Sequence, residues 1–472
     1  MTISNTPVRR LTMVMSAMLL AAPQLAAAQS ASVDPTAALL QELIRVNTSN
    51  PPGVTLPLAE ILKKRFEAVG YTVEIFPTPD AGKVHFIARL KGDGSKKPIL
   101  LAAHADVVGV EREKWTVDPF AGVIKDGSVY GRGAIDFKGG MAVFAMAALK
   151  LAENKVPLAR DVIFLAEADE EGAPMNTLWL AKDHWAAMDA EFALNEGGWI
   201  MKNDDGTVRY VSISTDDKSS ISVLLTSKGT STHSSMPLPD NPLASLGAAI
   251  AKISAYEAPV QLTAENKQFF TALGKSSTGA TAKYFRDLVH GTPAQVKAAD
   301  KVISKDPLLH AIMRNTFAPV IMSGGLRANV IPGSAEATIN LRLIPGTDPN
   351  TMITLIEKLI NDPRVTVKLG AGQTGKPPEP SSTGTELYQA LARESKAQWP
   401  TAEVTPYLFQ AGTDAAAWRM RGVPVYGIYP YPISNDELRR MHGNDERVSI
   451  ESLKQGTAMI YRTLVSVAGK SK

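Results

Sequence analysis

Pro98-Ile99-Leu100-Leu101-Ala102-Ala103-His104-Ala105-Asp106 is an unbroken apolar run that ends on an imidazole and a carboxylate. A short continuous apolar run reads as a strand buried on both faces. Two more such runs, Asp161 to Leu165 and Glu191 to Leu194, follow it, with a helical stretch from Gly139 to Asn154 between the first two. Buried strands alternating with helices predict an α/β core, three layers deep, with its sheet in the middle. Upstream, Pro35 to Ala68 carries apolar residues at helical spacing, interrupted at Asn50-Pro51-Pro52-Gly53, which reads as two helices and a turn.

Near Ser220 the pattern changes. A strand (Ile221 to Thr226), a helix (Asn241 to Tyr256), strands around Ala318 to Met322 and Ala335 to Leu343, and a helix from Thr351 to Ile360 follow in turn. This β-α-β-β-α-β order suits a small inserted α+β domain of ferredoxin-like type, with a helical insertion at about 262–315. Thr374 to Ser382 reads as the return linker. Helix Glu386 to Lys396, strands Val404 to Phe409 and Val423 to Tyr429, and a last helix from Ser449 then complete the first domain. The expected organisation is therefore a leader at 1–28, a main domain at 33–215 and 376–468, and an inserted domain, here called the lid, at 216–375.

Composition narrows the function. The 472 residues carry 50 basic and 47 acidic side chains, a formal charge of +3, which gives no field for gathering nucleic acid. There is no cysteine, so thiolate ligands, a thiol nucleophile and disulfides are excluded, and any metal must be held by His, Asp and Glu. Arg9-Arg10, the apolar run Leu11 to Ala22 and the small residues ending at Ala28 have the layout of a cleavable signal peptide. The apolar run is shorter than the ~20 residues that span a bilayer as a helix, so no stable membrane insertion is expected once it is removed. Loss of its two arginines lowers the formal charge from +3 to +1. The expected location is periplasmic or secreted, by an export route left open.

Acidic and His residues stand where the apolar strands end, and that edge of an open α/β sheet is where ligands bind. They are His104 and Asp106, then Asp136 in Gly131-Arg132-Gly133-Ala134-Ile135-Asp136-Phe137-Lys138-Gly139-Gly140, then Asp169-Glu170-Glu171, then Glu196 in Asn195-Glu196-Gly197-Gly198, and His442 in Met441-His442-Gly443-Asn444-Asp445-Glu446. Taken singly each has an ordinary structural alternative: a hydrogen-bonded His, a helix N-cap among turn glycines, a solvated charge run. In His-x-Asp the imidazole ligates while the carboxylate orients it. Jointly, two His and several carboxylates make an O/N ligand set for two divalent cations. His85, His184, His290 and His310 match no metal pattern. No Gly-x-Ser-x-Gly elbow supports a serine hydrolase.

In order and spacing these motifs resemble those of the co-catalytic zinc exopeptidases, the family of glutamate carboxypeptidase, carboxypeptidase S, aminoacylase and succinyl-diaminopimelate desuccinylase. The resemblance implies two Zn²⁺ per chain, with Co²⁺ or Mn²⁺ as substitutes. Asp136 would bridge them, His104 and Glu196 completing one site and Glu171 and His442 the other, with Glu170 as general base and a cis peptide after Asp136. From the lid, His233 in Lys228-Gly229-Thr230-Ser231-Thr232-His233-Ser234-Ser235 would stabilise the oxyanion, often from a partner subunit, while Asn329 and Arg342 would grip a substrate carboxylate. Gly412 resembles a glycine lining the pocket. The insertion, and the segment around Trp115 and Pro119, are closest to the branch of carboxypeptidase S and the secreted N-acyl amino acid hydrolases, although Pro174 stands where relatives carry a glycine-rich turn. The expected activity is hydrolysis of an amide bond beside a free carboxylate, in a peptide or, alternatively, an N-acyl amino acid. Dimerisation through the lid is the family habit. A metal-free binding protein is the remote alternative.

Overall fold

The computed structural model describes residues 1–2, 33–172, 174–372 and 379–470. The expected leader lies outside these residues apart from its first two, as does most of the return linker. The chain divides into two units, Met1–Val33 and Asp34–Lys472, and every helix and strand of the described residues lies in the second. Among the described residues no helix is long and apolar enough to cross a membrane.

An eight-stranded sheet runs in the order Thr72–Pro77, Val84–Leu90, Val162–Glu167, Ile99–His104, Phe192–Lys202, Val425–Ile433, Val208–Asp217, Glu403–Phe409. Its centre is parallel: Ile99–His104 pairs in parallel with Val162–Glu167 and Phe192–Lys202, and the last of these with Val425–Ile433. Alternation along Ile99–His104 shows why both faces must be covered. Ile99, Leu101 and Ala103 join the core beneath helices Pro35–Arg45, Lys138–Glu153 and Ile450–Ala468, whereas Leu100 and Ala102 join the opposite core with Leu180 and Trp418. The two antiparallel strands at the far edge, Thr72–Pro77 and Val84–Leu90, were not expected; the first is half exposed and lacks the apolar run that marks the others.

The lid sheet has the antiparallel order Thr316–Gly324, Ser334–Leu343, Ser219–Lys228, Val365–Gly372, backed by helices Pro242–Ser254 and Pro349–Ile360. That is the ferredoxin-like arrangement. The four helices from Ala264 to Ile312 interrupt the lid in the chain but not in space. Phe269, Phe270, Leu273 and Phe285 bury themselves in the main core, and Phe269 meets Tyr407 of the edge strand Glu403–Phe409 edge to face, with ring centroids 5.0 Å apart. A helical cover protects that edge strand from pairing with another chain.

Candidate metal centre

Register brings the chemistry together. His104 sits opposite Glu167 across the parallel pair, so Ala105-Asp106 and Ala168 to Glu171 leave the sheet side by side. Phe192–Lys202 parts from Ile99–His104 after Leu194, which leaves Asn195 and Glu196 at the same level. Asp136 arrives from the loop before helix Lys138–Glu153; its peptide bond to Phe137 is cis, and Gly139 lets the loop close because a Cβ there would fall 2.1 Å from the Ala134 carbonyl oxygen.

Asp136 faces two ways. Its Oδ1 lies 3.1 Å from His104 Nε2, which is itself 3.6 Å from Glu196 Oε2. Its Oδ2 lies 3.1 Å from His442 Nε2, which is 3.0 Å from Glu171 Oε1. Donor atoms around a tetrahedral zinc with bonds of 2.0–2.1 Å stand about 3.3 Å apart, so the side chains present fit such ions. Potential ligand atoms of His104, Asp136 and Glu171 cluster within 4.8 Å, as do those of His104, Glu170 and Glu196. The Tyr429 hydroxyl, 3.0 Å from both Asp136 Oδ1 and Glu196 Oε2, shares its proton between them, and Trp199 stacks on the ring at 4.3 Å.

Four carboxyls, those of Asp136, Glu170, Glu171 and Glu196, crowd the two imidazoles. Burial pushes the Glu170 carboxyl well above its ordinary range, with Glu196 and Glu171 adding to it, and pushes Glu196 up to about 7 against the pull of His104. Burial alone would lower His104, but Glu196, Asp106 and Asp136 carry it well above 6.5. Bonds to Asp136 and Glu171 raise His442 to about 10. Burial opposes ionisation of Asp136, yet the two imidazoles hold it below the usual carboxylate range.

Asp106 meets the imidazole closely through its main chain and more loosely through its carboxylate. His104 Nδ1 meets the Asp106 main-chain oxygen at 2.9 Å, while the Asp106 carboxylate stands off at 3.6 Å. That carboxylate accepts the backbone N–H groups of Glu170 at 3.1 Å and Glu171 at 3.0 Å. A second clamp, not anticipated, is built on Glu446. Its Oε2 accepts from Arg132 Nη1 at 2.7 Å and Gly133 N at 3.0 Å, and its Oε1 from Ile135 N at 2.7 Å and Asp136 N at 3.0 Å. Arg132 Nη2 also donates to the carbonyls of His442 at 3.3 Å and Gly443 at 2.9 Å, so one buried ion pair fixes both the Asp136 and the His442 loops. His442 needs fixing, for its φ of 58° is a left-handed conformation that a β-carbon disfavours.

The lid residues divide. Arg342 reaches the site: its Nη1 lies 3.5 Å from a Cβ built on Gly412, and it feels the charge of Glu170. His233 and Asn329 lie together elsewhere, on exposed paired segments where Ser234 N donates to the Asn329 carbonyl at 3.0 Å and His233 Nδ1 meets Ser235 Oγ at 2.8 Å. Among the described residues neither side chain hydrogen-bonds to the His104–Glu196 cluster.

Residues 100–466 match the model of peptidase family M20/M25/M40. A probable carboxypeptidase S-like protein 2 of Dictyostelium discoideum is 30% identical over 379 residues, 79% of this chain and 72% of that one. The human N-fatty-acyl-amino acid synthase/hydrolase PM20D1 is 26% identical over 397 residues, 80% of this chain and 76% of its own. Among solved structures, the M20 family metallo-carboxypeptidase Sso-CP2 from Sulfolobus solfataricus superposes with a TM-score of 0.69 at 18% identity, over 92% of this chain and 99% of that one, a likeness of fold. With a family match running from the strand that delivers His104 to the last helix, the chain belongs to peptidase family M20/M25/M40 and is a metallohydrolase acting on amide bonds.

Proposed function

We propose that the chain is a two-zinc exopeptidase of carboxypeptidase type, cleaving the amide bond next to a free C-terminal carboxylate. The observation that carries this is Asp136, whose two oxygens each meet a separate His and carboxylate pair. His104, Asp136 and Glu196 would hold one ion and Asp136, Glu171 and His442 the other. Zinc bound there supplies Lewis-acid polarisation of the scissile carbonyl and a water of lowered pKa.

The rest falls to the chain. Glu170 belongs to the same cluster, and burial keeps its carboxyl avid for protons. It takes the proton of the attacking water on a carboxylate oxygen and returns it to the leaving amine. Arg342, beside the open Gly412 backbone, pairs with the substrate carboxylate through its guanidinium fork. His233 and Asn329 serve from the lid of a second copy. The lid's outer strand supports that homodimer: it ends the sheet, and Val320, Ile321 and Met322 on it are 57%, 63% and 65% exposed.

The relative named as an N-fatty-acyl-amino acid synthase/hydrolase favours a second reading, N-acyl amino acid hydrolysis by the same residues. Hydrolysis of dipeptides and N-acyl amino acids before and after chelation, with metal content measured alongside, tests both. About two zinc ions per chain and chelator-sensitive cleavage support the mechanism, and the preferred panel ranks the substrates. No metal and no cleavage after zinc addition would refute it. Export to a periplasmic or extracellular location rests on the leader's layout and is tested by cell fractionation of the full-length chain.

A further inference from the structure

The Asn50-Pro51-Pro52-Gly53 turn reads in sequence as a helix breaker, but in space it lies against the two glutamates. We propose that Asn50, with the buried Lys83 behind it, is a positioning residue for Glu170 and Glu171, acting through Asp106 and Asp169; the proposal rests on the two-zinc reading above.

Asn50 Nδ2 donates to Asp106 Oδ2 at 2.8 Å and to Asp169 Oδ1 at 2.5 Å. Both partners are carboxylates, which accept only, so the amide's NH₂ end must face them, one hydrogen to each. Asp106 in turn holds the N–H groups of Glu170 and Glu171, and Asp169 Oδ2 holds that of Met175 at 2.7 Å. The segment bearing both glutamates is therefore held near its middle and its far end by two carboxylates that, among the described residues, Asn50 joins. Lys83 Nζ, 2.5 Å from Asp169 Oδ1, supplies one positive charge against these two wholly buried negative ones. Asn50 bridges them without adding a third charge. An unpaired pair of buried carboxylates would repel and leave acceptors unsatisfied.

The turn is fastened at its base, Asn50 N donating to the Val107 carbonyl at 2.9 Å, and Asn50 packs tightly above. A Cβ on Gly172, directly after Glu171, would fall 2.3 Å from Asn50 Nδ2. Only glycine lets the carboxamide reach past that backbone.

The test compares wild type with Asn50→Ala and with Asn50→Ser, a milder variant that keeps one short donor. In metal-free protein, hydrogen exchange of the segment 168–175 should accelerate at least about tenfold in Asn50→Ala, while helix Lys138–Glu153 is unchanged. In zinc-loaded protein kcat should fall about thirtyfold or more with KM within about threefold, because alignment of the base and of one metal ligand is lost rather than substrate binding. Should Asn50→Ala fail to fold, Asn50→Ser must show both effects in the same direction. Unchanged exchange and turnover in folded variants of a zinc-binding wild type would overturn the positioning role alone. A wild type that takes up no zinc would overturn the two-zinc reading instead.

Discussion

Glu446→Gln tests the clamp beneath Asp136 with almost no change of shape. Each glutamate oxygen accepts two hydrogen bonds, Oε2 from Arg132 Nη1 and Gly133 N, Oε1 from Ile135 N and Asp136 N. Glutamine keeps one oxygen, so whichever way its amide turns, two donors face an NH₂ group. Glu446 and Arg132 are 0% and 2% exposed, and water cannot replace what is lost. An orphaned buried donor costs about 1–3 kcal/mol, and removing one partner of a buried ion pair about 3–5 kcal/mol. These overlap in Arg132, so the expected destabilisation is about 3–5 kcal/mol rather than their sum. Urea unfolding of metal-free protein should show it as a lower midpoint at constant slope. Zinc affinity should fall as well, because Glu446 holds the Asp136 backbone directly and the His442 loop through Arg132. A loss under about 1 kcal/mol with zinc binding intact would refute the clamp.

Further expectations concern other parts of the chain. Asp216, buried beside Arg419 and Asp217, has its carboxyl pushed up by burial to about 7 from 3.8. The folded chain therefore holds a proton there that the unfolded chain has released, and stability falls as pH rises across that window. Asp216→Asn removes this slope, so its stability relative to wild type, by urea unfolding, should improve between pH 4 and pH 8 by at most about 4 kcal/mol; no improvement would contradict the burial argument. Arg342→Ala should erase about ten- to hundredfold of the preference for free-acid over amidated substrates in kcat/KM, and a retained preference would place the carboxylate elsewhere. Ile321→Glu, on the exposed lid edge, should convert a dimer to a monomer in light scattering, whereas a dimer that survives it must use another face.

The residues proposed to hold the metals were legible because they are chemically out of place. His104, Asp136, Glu171, Glu196 and His442 stand at the ends of apolar strands or among glycines, where solvated charge is not the ordinary expectation. Their supports were not legible. Glu446 meets Arg132 across 314 positions of chain, and Asn50 meets Asp169 across 119, so nothing in either neighbourhood announces the partner. The alternation of strands and helices fixed the layers, and the β-α-β-β-α-β order anticipated the lid's strand arrangement. Chain order marked the helices from Ala264 to Ile312 as an insertion, but order cannot say which sheet an apolar helix face will cover. Phe269 packs on Tyr407 of the edge strand and Phe270 on Phe269, and burial of large aromatics decided the matter.

The site's electrostatics explain why so much of the chain is committed to residues that never meet a metal. Asp136, Glu170, Glu171 and Glu196 crowd two imidazoles; burial first, and the neighbouring carboxylates after it, raise Glu170 and Glu196, while the carboxylates raise His104 and His442. Left to relax, such a cluster would swing its carboxylates apart and lower their repulsion at the cost of the ligand geometry. Relaxation is blocked at the backbone: Glu446 and Arg132 hold the Asp136 and His442 loops, Asp106 holds the amides of Glu170 and Glu171, and the Tyr429 hydroxyl ties Glu196 to Asp136. On the two-zinc reading, these supports hold the ligand set in place before any ion binds, and the affinity for metal is expected to depend on them as well as on the ligands themselves.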